Sequence, residues 1–546
     1  MSDRHLIKGT LVLTTANLVN RLLGLVNQVL VLRLIGSEGY GLFQLAIPIY
    51  MLALVFTTAG IPVAVSKLVA EELAGKNSRS AHQILRWSVI RLGITGMGLA
   101  IVLALLLPSI GSKIMADPRA IWCVLVLIPT LPITAVSSAF RGYFQGIQRM
   151  AIPAVAQVIE QAVRVVVGLY LAKQMTPWGV SWAATGYTAG VFVGETAGCL
   201  LLISFYIGGL SFFKRNKYLP PKNHIKSSQT NFASTNLSTT NNETSVFRER
   251  IWPIAGPVTL TRIAAVLLLN AEAILIPSRI ENLGYSQSEA TALYGLFTGV
   301  VLTLVSIPNI FTTAISTNLL PAVSAAQVRK DHAWLKKRLT QSIYYTIIIS
   351  FPLLVILWVV PEKVSSLIFG VTGAGVPLRV LATGGLFLYV IQITNGVLNG
   401  LGRVNLVLGN SLIMAIVRIG AIYIFTSRIL VNYYFYGSSF AAILESGVGA
   451  VALAYILSYV VGVALNLTPL NQIITLDIKQ DLIIPLVAGF GMGVILHQIV
   501  YRIQLPILEE IPLLILASLI GLTAYLAILI WGDSLKISEA RAILFK

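Results

Sequence analysis

The chain has 546 residues, of which 56% are hydrophobic and 11% are charged, and its mean hydropathy is +0.82. A soluble domain needs more charge than this to hydrate its surface, so the composition excludes an ordinary globular protein. It predicts an all-α polytopic membrane protein. The formal net charge of +18 would suit a nucleic-acid partner, but the placement of the basic residues gives it another meaning.

Fourteen segments have the roughly 20 apolar residues that a helix needs to cross a bilayer. We predict transmembrane helices near residues 7-35, 40-66, 84-112, 119-141, 151-173, 179-210, 251-278, 291-325, 339-369, 377-399, 404-427, 438-468, 481-502 and 511-531. The first segment carries Arg21 near its centre and has no small-residue cleavage site, so it is expected to stay in the protein.

Short motifs occur twice in the chain at a constant separation of 254 residues. Tyr40-Gly41-Leu42-Phe43 recurs at 294–297, and the pattern of Gly142 and Gly146 recurs at 396 and 400. Each copy spans six predicted helices, and an even number returns the chain to the side on which it began. The two repeats are therefore expected to be parallel, related by an axis along the membrane normal, as in duplicated transporters.

The repeats divide the chain into four predicted parts. They are an N-terminal six-helix lobe at 1-210, a flexible basic linker at 211-250, a C-terminal six-helix lobe at 251-470, and two additional helices with a tail at 471-546. The linker is rich in Ser, Thr, Asn and Gln and cannot bury enough apolar surface to order itself. The two additional helices have no repeat mates. A lipid groove, an oligomer contact and simple packing remain open as their role.

The basic residues follow the topology of the predicted spans. When residues at the ends of spans are counted with the adjoining connection, 25 of the 39 Lys and Arg belong to the two termini and every second connection, nine belong to the opposite connections, and five lie within spans (Arg21, Arg91, Arg164, Arg262 and Arg418). By the positive-inside rule, both termini face the cytoplasm. The net charge is then mainly a topology signal, and no nucleic-acid partner is expected.

The first span has a polar face. Asn17, Asn20, Arg21, Asn27 and Gln28 lie on one side of a helix whose other side is apolar. A central arginine in a membrane costs about 2.5 to 3.5 kcal/mol, so this face should line a bundle interior or a watery cavity. These five residues are the predicted substrate-binding residues of the first span, although Arg21 could instead form a structural pair.

A second arginine has a similar position in the other repeat. Arg262 lies at a comparable depth in the seventh span. Arg21 and Arg262 are therefore predicted to be symmetry-related cations in one cavity, where both would bind substrate.

Two further arginines, Arg164 and Arg418, are repeat mates with different neighbours. Glu160 lies one helical turn before Arg164 and can neutralise it, which favours a structural ion pair. The mate of Glu160 is a methionine, so Arg418 needs a partner from another helix or from substrate. Glu195 and Glu272 also lie deep in spans, where they can pair with arginines or exchange protons.

Catalytic and metal-binding motifs are not found in the sequence. The five histidines are scattered, the two cysteines have no metal spacing, and there is no P-loop or nucleophile elbow. We expect no catalytic residue, no metal and no cofactor. Transport is the predicted activity, with a coupling ion or the membrane potential as candidate energy sources.

Three segments resemble a known family. Residues 9–14, 20–24 and 60–71, which read GTLVLT, NRLLG and GIPVAVSKLVAE, are similar to the opening of the stage V sporulation protein B family of bacterial polysaccharide transporters. That family belongs to the multidrug/oligosaccharidyl-lipid/polysaccharide exporter superfamily. The resemblance implies two six-helix lobes around a central cavity, two extra helices, and flipping of a polyprenyl-pyrophosphate-linked saccharide across the bacterial cytoplasmic membrane.

The resemblance to the related lipid II flippases is less complete. Arg21 matches an arginine of their first span, but a second arginine of that span is replaced here by Asn27, and an arginine of their second span has no match. The expected substrates are therefore lipid-linked oligosaccharides in general, and the expected partners are that substrate and membrane lipids.

Two other functions remain as alternatives. A multidrug exporter of the same fold would favour an acidic or aromatic cavity, against which Arg21 and Arg262 argue. A membrane glycan polymerase or ligase would need a large outer loop, and no connection on that side is long enough.

Overall fold

The computed structural model describes residues 2–58, 60–75, 77–215, 243–428, 439–472, 483–503 and 510–532. The side chains of 2–18, 209–215, 243–258, 260–261, 439–440, 503 and 510 lie outside that description. Every regular element in the described part is a helix. Most of the predicted linker falls outside it, since one helix ends at Arg215 and the next begins at Glu243.

The N-terminal half contains seven α-helices. They are α1 (Ser2–Thr58), α2 (Ile61–Ala74), α3 (Ser78–Lys113), α4 (Ile121–Leu127), α5 (Thr130–Gly146), α6 (Ala151–Met175) and α7 (Val180–Arg215). Short connections join them, and their buried apolar side chains form two clusters, one of which continues into the C-terminal half.

The C-terminal half follows the same order. Its helices are α8 (Glu243–Asn282), α9 (Gln287–Leu296), α10 (Leu302–Ser306), α11 (Asn309–Val328), α12 (His332–Val359), α13 (Pro361–Phe369), α14 (Gly375–Gly400), α15 (Val404–Phe425), α16 (Ser439–Glu445) and α17 (Val448–Asn471). The two additional helices are α18 (Ile483–His497) and α19 (Glu510–Trp531). The predicted all-α fold of two parallel repeats is confirmed.

The predicted count of fourteen spans is not confirmed. The described residues hold twelve helices long and apolar enough to cross a membrane, or thirteen if Pro118–Leu127 and Thr130–Gly146, bent by 44°, form one span. One run, Val19–Ala74, contains part of the first predicted span and all of the second. At 57 residues α1 would extend about 85 Å, far more than one bilayer crossing needs. It is divided at Gly36, whose φ of 71° and ψ of −179° turn the chain back.

The second span of each repeat is broken near its middle. In the first repeat α1 ends at Thr58, and α2 begins at Ile61 after Gly60 in the left-handed region (φ 66°). In the second repeat the break is at Pro308, between α10 and α11. The second repeat alone adds a π-helical turn at Phe297–Val301, within the described residues. Such turns leave backbone carbonyls free for other donors.

The repeat motifs make equivalent contacts in the two halves. A Cβ atom at Gly142 would lie 2.5 Å from the carbonyl oxygen of Pro62, and its mate Gly396 meets Ser316 in the same way. Gly146 packs on Ser66 and Val69, and Gly400 packs on Leu320 and Val323. Each contacted residue is again 254 positions from its mate. The GxxxG spacing therefore permits close approach of helices, as small residues do in membranes.

The two halves meet where the repeated Tyr-Gly-Leu-Phe motifs lie. A Cβ atom at Gly41 would collide with the carbonyl oxygen of Thr291, and one at Gly295 would collide with that of Ser37. These contacts are reciprocal, since Ser37 and Thr291 are themselves 254 residues apart. The pseudo-twofold axis therefore passes between Gly41 and Gly295. We call this region, formed by residues 36–41, 116–119 and 284–295, the closed end.

The two additional helices pack on the C-terminal half. Ala488, Met492, Tyr525 and Leu529 form a buried cluster with Ile348 of α12. The Tyr525 hydroxyl donates to the Ile348 carbonyl at 3.2 Å. Their contacts in the structure are thus a packing interface.

Candidate functional site

The polar face of α1 divides into two parts. At the end nearer Gly36, Asn27 is buried and its Nδ2 donates to the Tyr187 hydroxyl at 2.6 Å. Gln28 Nε2 donates to the Tyr40 hydroxyl at 3.0 Å and to the Gly299 carbonyl at 2.9 Å. That carbonyl belongs to the π-helical turn of the other half, so Gln28 joins the two lobes.

The other part of this face lacks such partners. Arg21 is exposed, and within the described residues its side chain has no ion pair or hydrogen bond. Both amide atoms of Asn20 are buried without a hydrogen-bond partner among those residues. A Cβ atom at Gly24 would meet nothing within 4 Å. The side chain of Asn17 lies outside the described residues.

Arg262 lies in the corresponding part of the second repeat. It is exposed and has no bonded partner in the part of the chain that the structure describes. Two turns further on, Asn270 Nδ2 donates to the Pro48 carbonyl of the first repeat at 2.9 Å. Gln28 thus donates a hydrogen bond from the first repeat to the second, and Asn270 donates one from the second repeat to the first. Arg21 and Arg262 both precede these contacts, on helices that run toward the closed end.

The closed end is held by a polar network between the lobes. Arg119 donates to Asp117 at 2.7 Å and to Glu38 at 2.7 Å. From the second repeat, Thr291 Oγ1 donates to Asp117 Oδ2 at 2.8 Å, and Ser288 donates to Glu38. Asp117 is fully buried, so its charge depends on these donors. The network therefore ties the lobes together at this end.

Arg164 lies in a cluster of four charges inside the first repeat. Its Nη2 is 2.7 Å from Glu160 Oε1, as the helical spacing predicts, and 3.3 Å from Glu195 Oε1 on α7. Arg141 of α5 pairs with Glu160 Oε2 and lies 3.9 Å from Glu195 Oε2. Two arginines and two glutamates give this cluster, which we call the N-lobe quartet, a formal charge of zero.

The mate of Arg164 has a different arrangement. Arg418 donates from Nε to Glu272 Oε1 at 2.8 Å, and the Tyr455 hydroxyl donates to Glu272 Oε2 at 2.8 Å. The guanidinium also lies 4.5 Å from the centre of the Tyr455 ring, a cation–π distance. The partner of Arg418 thus comes from another helix, α8. We therefore leave Arg418 out of the binding residues proposed below.

Sequence reasoning missed Arg141 and the closed-end network. Arg141 is the last residue of the predicted fourth span (119-141), whereas α5 continues to Gly146 and places Arg141 beside Glu160. A signal was available, since Arg141 stands 19 residues before Glu160 on the neighbouring span. Asp117 precedes α4 and Glu38 follows the kink of α1 at Gly36; Arg119 bonds both carboxylates, and the reciprocal packing of Gly41 and Gly295 brings Ser288 and Thr291 of the second repeat to them.

Comparison with known proteins places these features in a family. Residues 6–327 match the model of a family described as polysaccharide biosynthesis protein. The chain is 30% identical over 479 residues to stage V sporulation protein B of Bacillus subtilis (strain 168), covering 88% of this chain and 86% of that one. It is 25% identical over 362 residues to the lipid II flippase MurJ of the same organism, covering 64% and 63%.

Solved structures show the same fold. An inward closed conformation of lipid II flippase MurJ aligns over 98% of this chain and 100% of that chain, with a TM-score of 0.64 and 16% identity. An inward-facing MATE family multidrug resistance transporter of the MOP superfamily aligns over 83% and 95%, with a TM-score of 0.56 and 14% identity. Together with the multi-pass helical architecture, the sequence matches identify this chain as a member of the polysaccharide biosynthesis protein family.

Proposed function

We propose that this protein flips a polyprenyl-pyrophosphate-linked saccharide across the bacterial cytoplasmic membrane, and that Arg21 binds the pyrophosphate. The observation that carries the proposal is the contrast between two sets of arginines. Arg164 and Arg418 are neutralised by glutamates, whereas Arg21 and Arg262 are exposed and unpaired within the described residues. An unpaired arginine in a membrane is costly and marks a functional site.

Pyrophosphate suits the chemistry of this position. It is a dense anion, and a guanidinium offers a planar set of donors that can bind two of its oxygens at once. Asn20 adds two unpaired amide atoms next to Arg21, which can bond a phosphate oxygen or a sugar hydroxyl. Asn27 and Gln28 contribute differently, since they hold Tyr187 and Gly299 and set the position of α1.

The closed end supports transport by alternating access. The lobes meet at Gly41 and Gly295 and again at Gln28, while Arg21 and Arg262 lie beyond those contacts. By the topology argument, the closed end faces outward and the arginines are loaded from the cytoplasm. Rocking of the lobes about the reciprocal glycine contact would then present the substrate to the outer side.

The relatives favour flipping over drug export or catalysis. One of the matching proteins is named as a lipid II flippase, and its matched region covers more than three fifths of either chain. The multidrug transporters share the fold only, at 14% identity. Two unpaired arginines would repel a cationic drug.

The test is a flipping assay on purified protein in vesicles, using a polyprenyl-pyrophosphate saccharide. Arg21→Ala should abolish flipping at matched abundance, and Arg21→Lys, which keeps the charge but loses the bidentate geometry, should keep part of it. Arg91→Ala is the matched control, because Arg91 is also exposed but lies on α3 near the start of its predicted span (84-112), where its side chain can reach the membrane edge. Full activity in Arg21→Ala would contradict the proposal.

The substrate class has its own test. Protein purified with native lipids should carry a polyprenyl-pyrophosphate saccharide that mass spectrometry identifies, and Arg21→Ala should lose it. Recovery of an organic cation in its place would favour drug export.

A further inference from the structure

The N-lobe quartet is not required for binding pyrophosphate, yet it places two carboxylates together inside the bundle. The side chains of Glu160 and Glu195 are only 8% and 10% exposed. Close helix packing confines them, since a Cβ atom at Gly198 would lie 3.1 Å from Glu160 Oε2 and one at Gly194 would lie 2.8 Å from the Glu160 carbonyl. The helices α6 and α7 therefore pack closely around Glu160.

The two glutamates are unequally paired. Glu160 is bonded on both oxygens, by Arg164 at Oε1 and by Arg141 at Oε2. Glu195 has one long hydrogen bond, 3.3 Å from Arg164, and its Oε2 is buried without a hydrogen-bond partner in the described structure. A buried carboxylate that lacks donors carries a desolvation cost, and a second carboxylate beside it adds to that cost.

We propose that the N-lobe quartet is a proton-exchange site and that Glu195 is the group that takes up the proton. A hydronium ion would transfer a proton to Oε2, which has no hydrogen-bond partner in the described structure, and this turns the oxygen into a hydroxyl donor and raises the formal charge of the quartet from zero to +1. One O–H bond of the hydronium ion breaks, one O–H bond forms on Glu195, and water is released.

A metal ion does not fit these residues. Cations such as Na⁺, Mg²⁺ or Ca²⁺ need several oxygen ligands, and here two guanidinium groups already occupy the positions around the carboxylates. Within the described residues no group of three or more metal-binding side chains is present. A proton is the one cation that needs no extra ligands.

The other groups around the site do not compete for this proton. Tyr50 of α1 and Cys199, one turn along α7, lie near enough to interact electrostatically with Glu195. The Tyr50 hydroxyl is hydrogen-bonded to Thr134 at 3.1 Å. The phenol of Tyr50 and the thiol of Cys199 are both neutral in their ordinary state. Arginines stay charged throughout, so the carboxyl groups of Glu160 and Glu195 are the groups whose charge can change, and both oxygens of Glu160 already accept hydrogen bonds from arginines.

Protonation would be felt by the lobe interface through α1. Tyr50 adjoins the quartet, and Pro48, two residues before it, accepts the hydrogen bond from Asn270 of the other lobe. An uncompensated positive charge inside the bundle is unfavourable, so the protonated quartet should prefer a state in which water or an anion reaches Arg141. This coupling to transport rests on the proposed function, whereas the proton site does not.

The site can be tested without any transport. Infrared difference spectra of the purified full chain, recorded from about pH 5 to about pH 9, would show the carbonyl stretch of a protonated carboxyl that disappears as the pH rises. The band should be absent in Glu195→Gln and retained in Glu272→Gln, the matched control, because Glu272 is fully bonded by Arg418 and Tyr455. Persistence of the band in Glu195→Gln, or its absence from the parent, would overturn the proposal.

Two further measurements separate the possible failures. Glu195→Asp keeps an acid and should shift the band, which covers the case in which Glu195→Gln does not fold. In vesicles with an imposed pH gradient, flipping by the parent should change by up to about tenfold per pH unit, the limit for one proton, and flipping by Glu195→Gln should ignore the gradient. A band without any flipping would refute the proposed function and leave the proton site standing.

Discussion

The reciprocal glycine contact should decide how often the closed end is shut. Replacing Gly41 and Gly295 by alanine puts one methyl group against the carbonyl oxygen of Thr291 and another against that of Ser37. Backbone oxygens cannot rotate away as side chains do, so α1 and α9 must separate. Overpacking of this kind costs about 1 to 3 kcal/mol. If that cost falls on the closed state alone, the open fraction rises by about 5-fold to about 150-fold.

Cysteine labelling measures this shift directly. With Cys123 and Cys199 replaced, Ser288→Cys provides a partly buried thiol at the closed end. A membrane-impermeant maleimide should modify it faster in the double alanine variant, in proportion to the open fraction. Gly98→Ala with Gly420→Ala is the matched control, because a Cβ atom at either position meets nothing within 4 Å.

Labelling at the parental rate in the double alanine variant would show that the glycine contact does not govern closure. An equal increase in the control variant would show that the effect is a general loosening of the bundle.

Three further predictions follow from the buried charges and the topology. Arg418→Ala leaves Glu272 buried without its cation and should lower the free energy of unfolding in detergent by about 3 to 5 kcal/mol. Adding Glu272→Gln should restore much of the lost stability, and no recovery would show that the two residues are not coupled. Arg164→Ala should reduce membrane abundance, and Glu195→Gln should rescue it, because Glu195 loses its one hydrogen-bond donor in the described structure. A reporter fused within the linker should read cytoplasmic and one at Gln287 external; the opposite result would reverse the proposed direction of flipping.

The repeat was predictable because its signal lies in spacing. Motifs such as those at Gly142 and Gly396 are separated by 254 residues. The residues that these two glycines contact, Pro62 and Ser316, are separated by the same number. The number of spans was harder to obtain. Hydropathy records how apolar a segment is, whereas the turn at Gly36 and the bend between α4 and α5 depend on backbone geometry that apolar content does not report.

The candidate site was only partly accessible from sequence. The spacing of Glu160 and Arg164 predicted their pairing, because contacts within one helix follow from its period. The pairing of Arg418 with Glu272, 146 residues away, depends on which helix faces which, and a single sequence carries no such information. Similarly, Asn27 and Gln28 share a helix face, but Asn27 bonds within the first lobe and Gln28 bonds to both lobes.

Arg21 and Arg262 remain predictions as a substrate-binding pair. Their helices, their exposure and their position relative to the closed end agree with that role, but substrate contact awaits the flipping assay.

The reciprocal contact at Gly41 and Gly295 also bears on how such a chain could arise. An isologous contact, in which the same patch of two copies pairs with itself, is the geometry of a symmetric homodimer. One repeat therefore already carries the surface needed to associate with a second copy of itself. Because six spans bring each copy back to its starting side, gene duplication and fusion would preserve that dimer without inverting either half. The asymmetric features, the π-helical turn and the unlike charge clusters, are then the ones that only a fused chain could acquire.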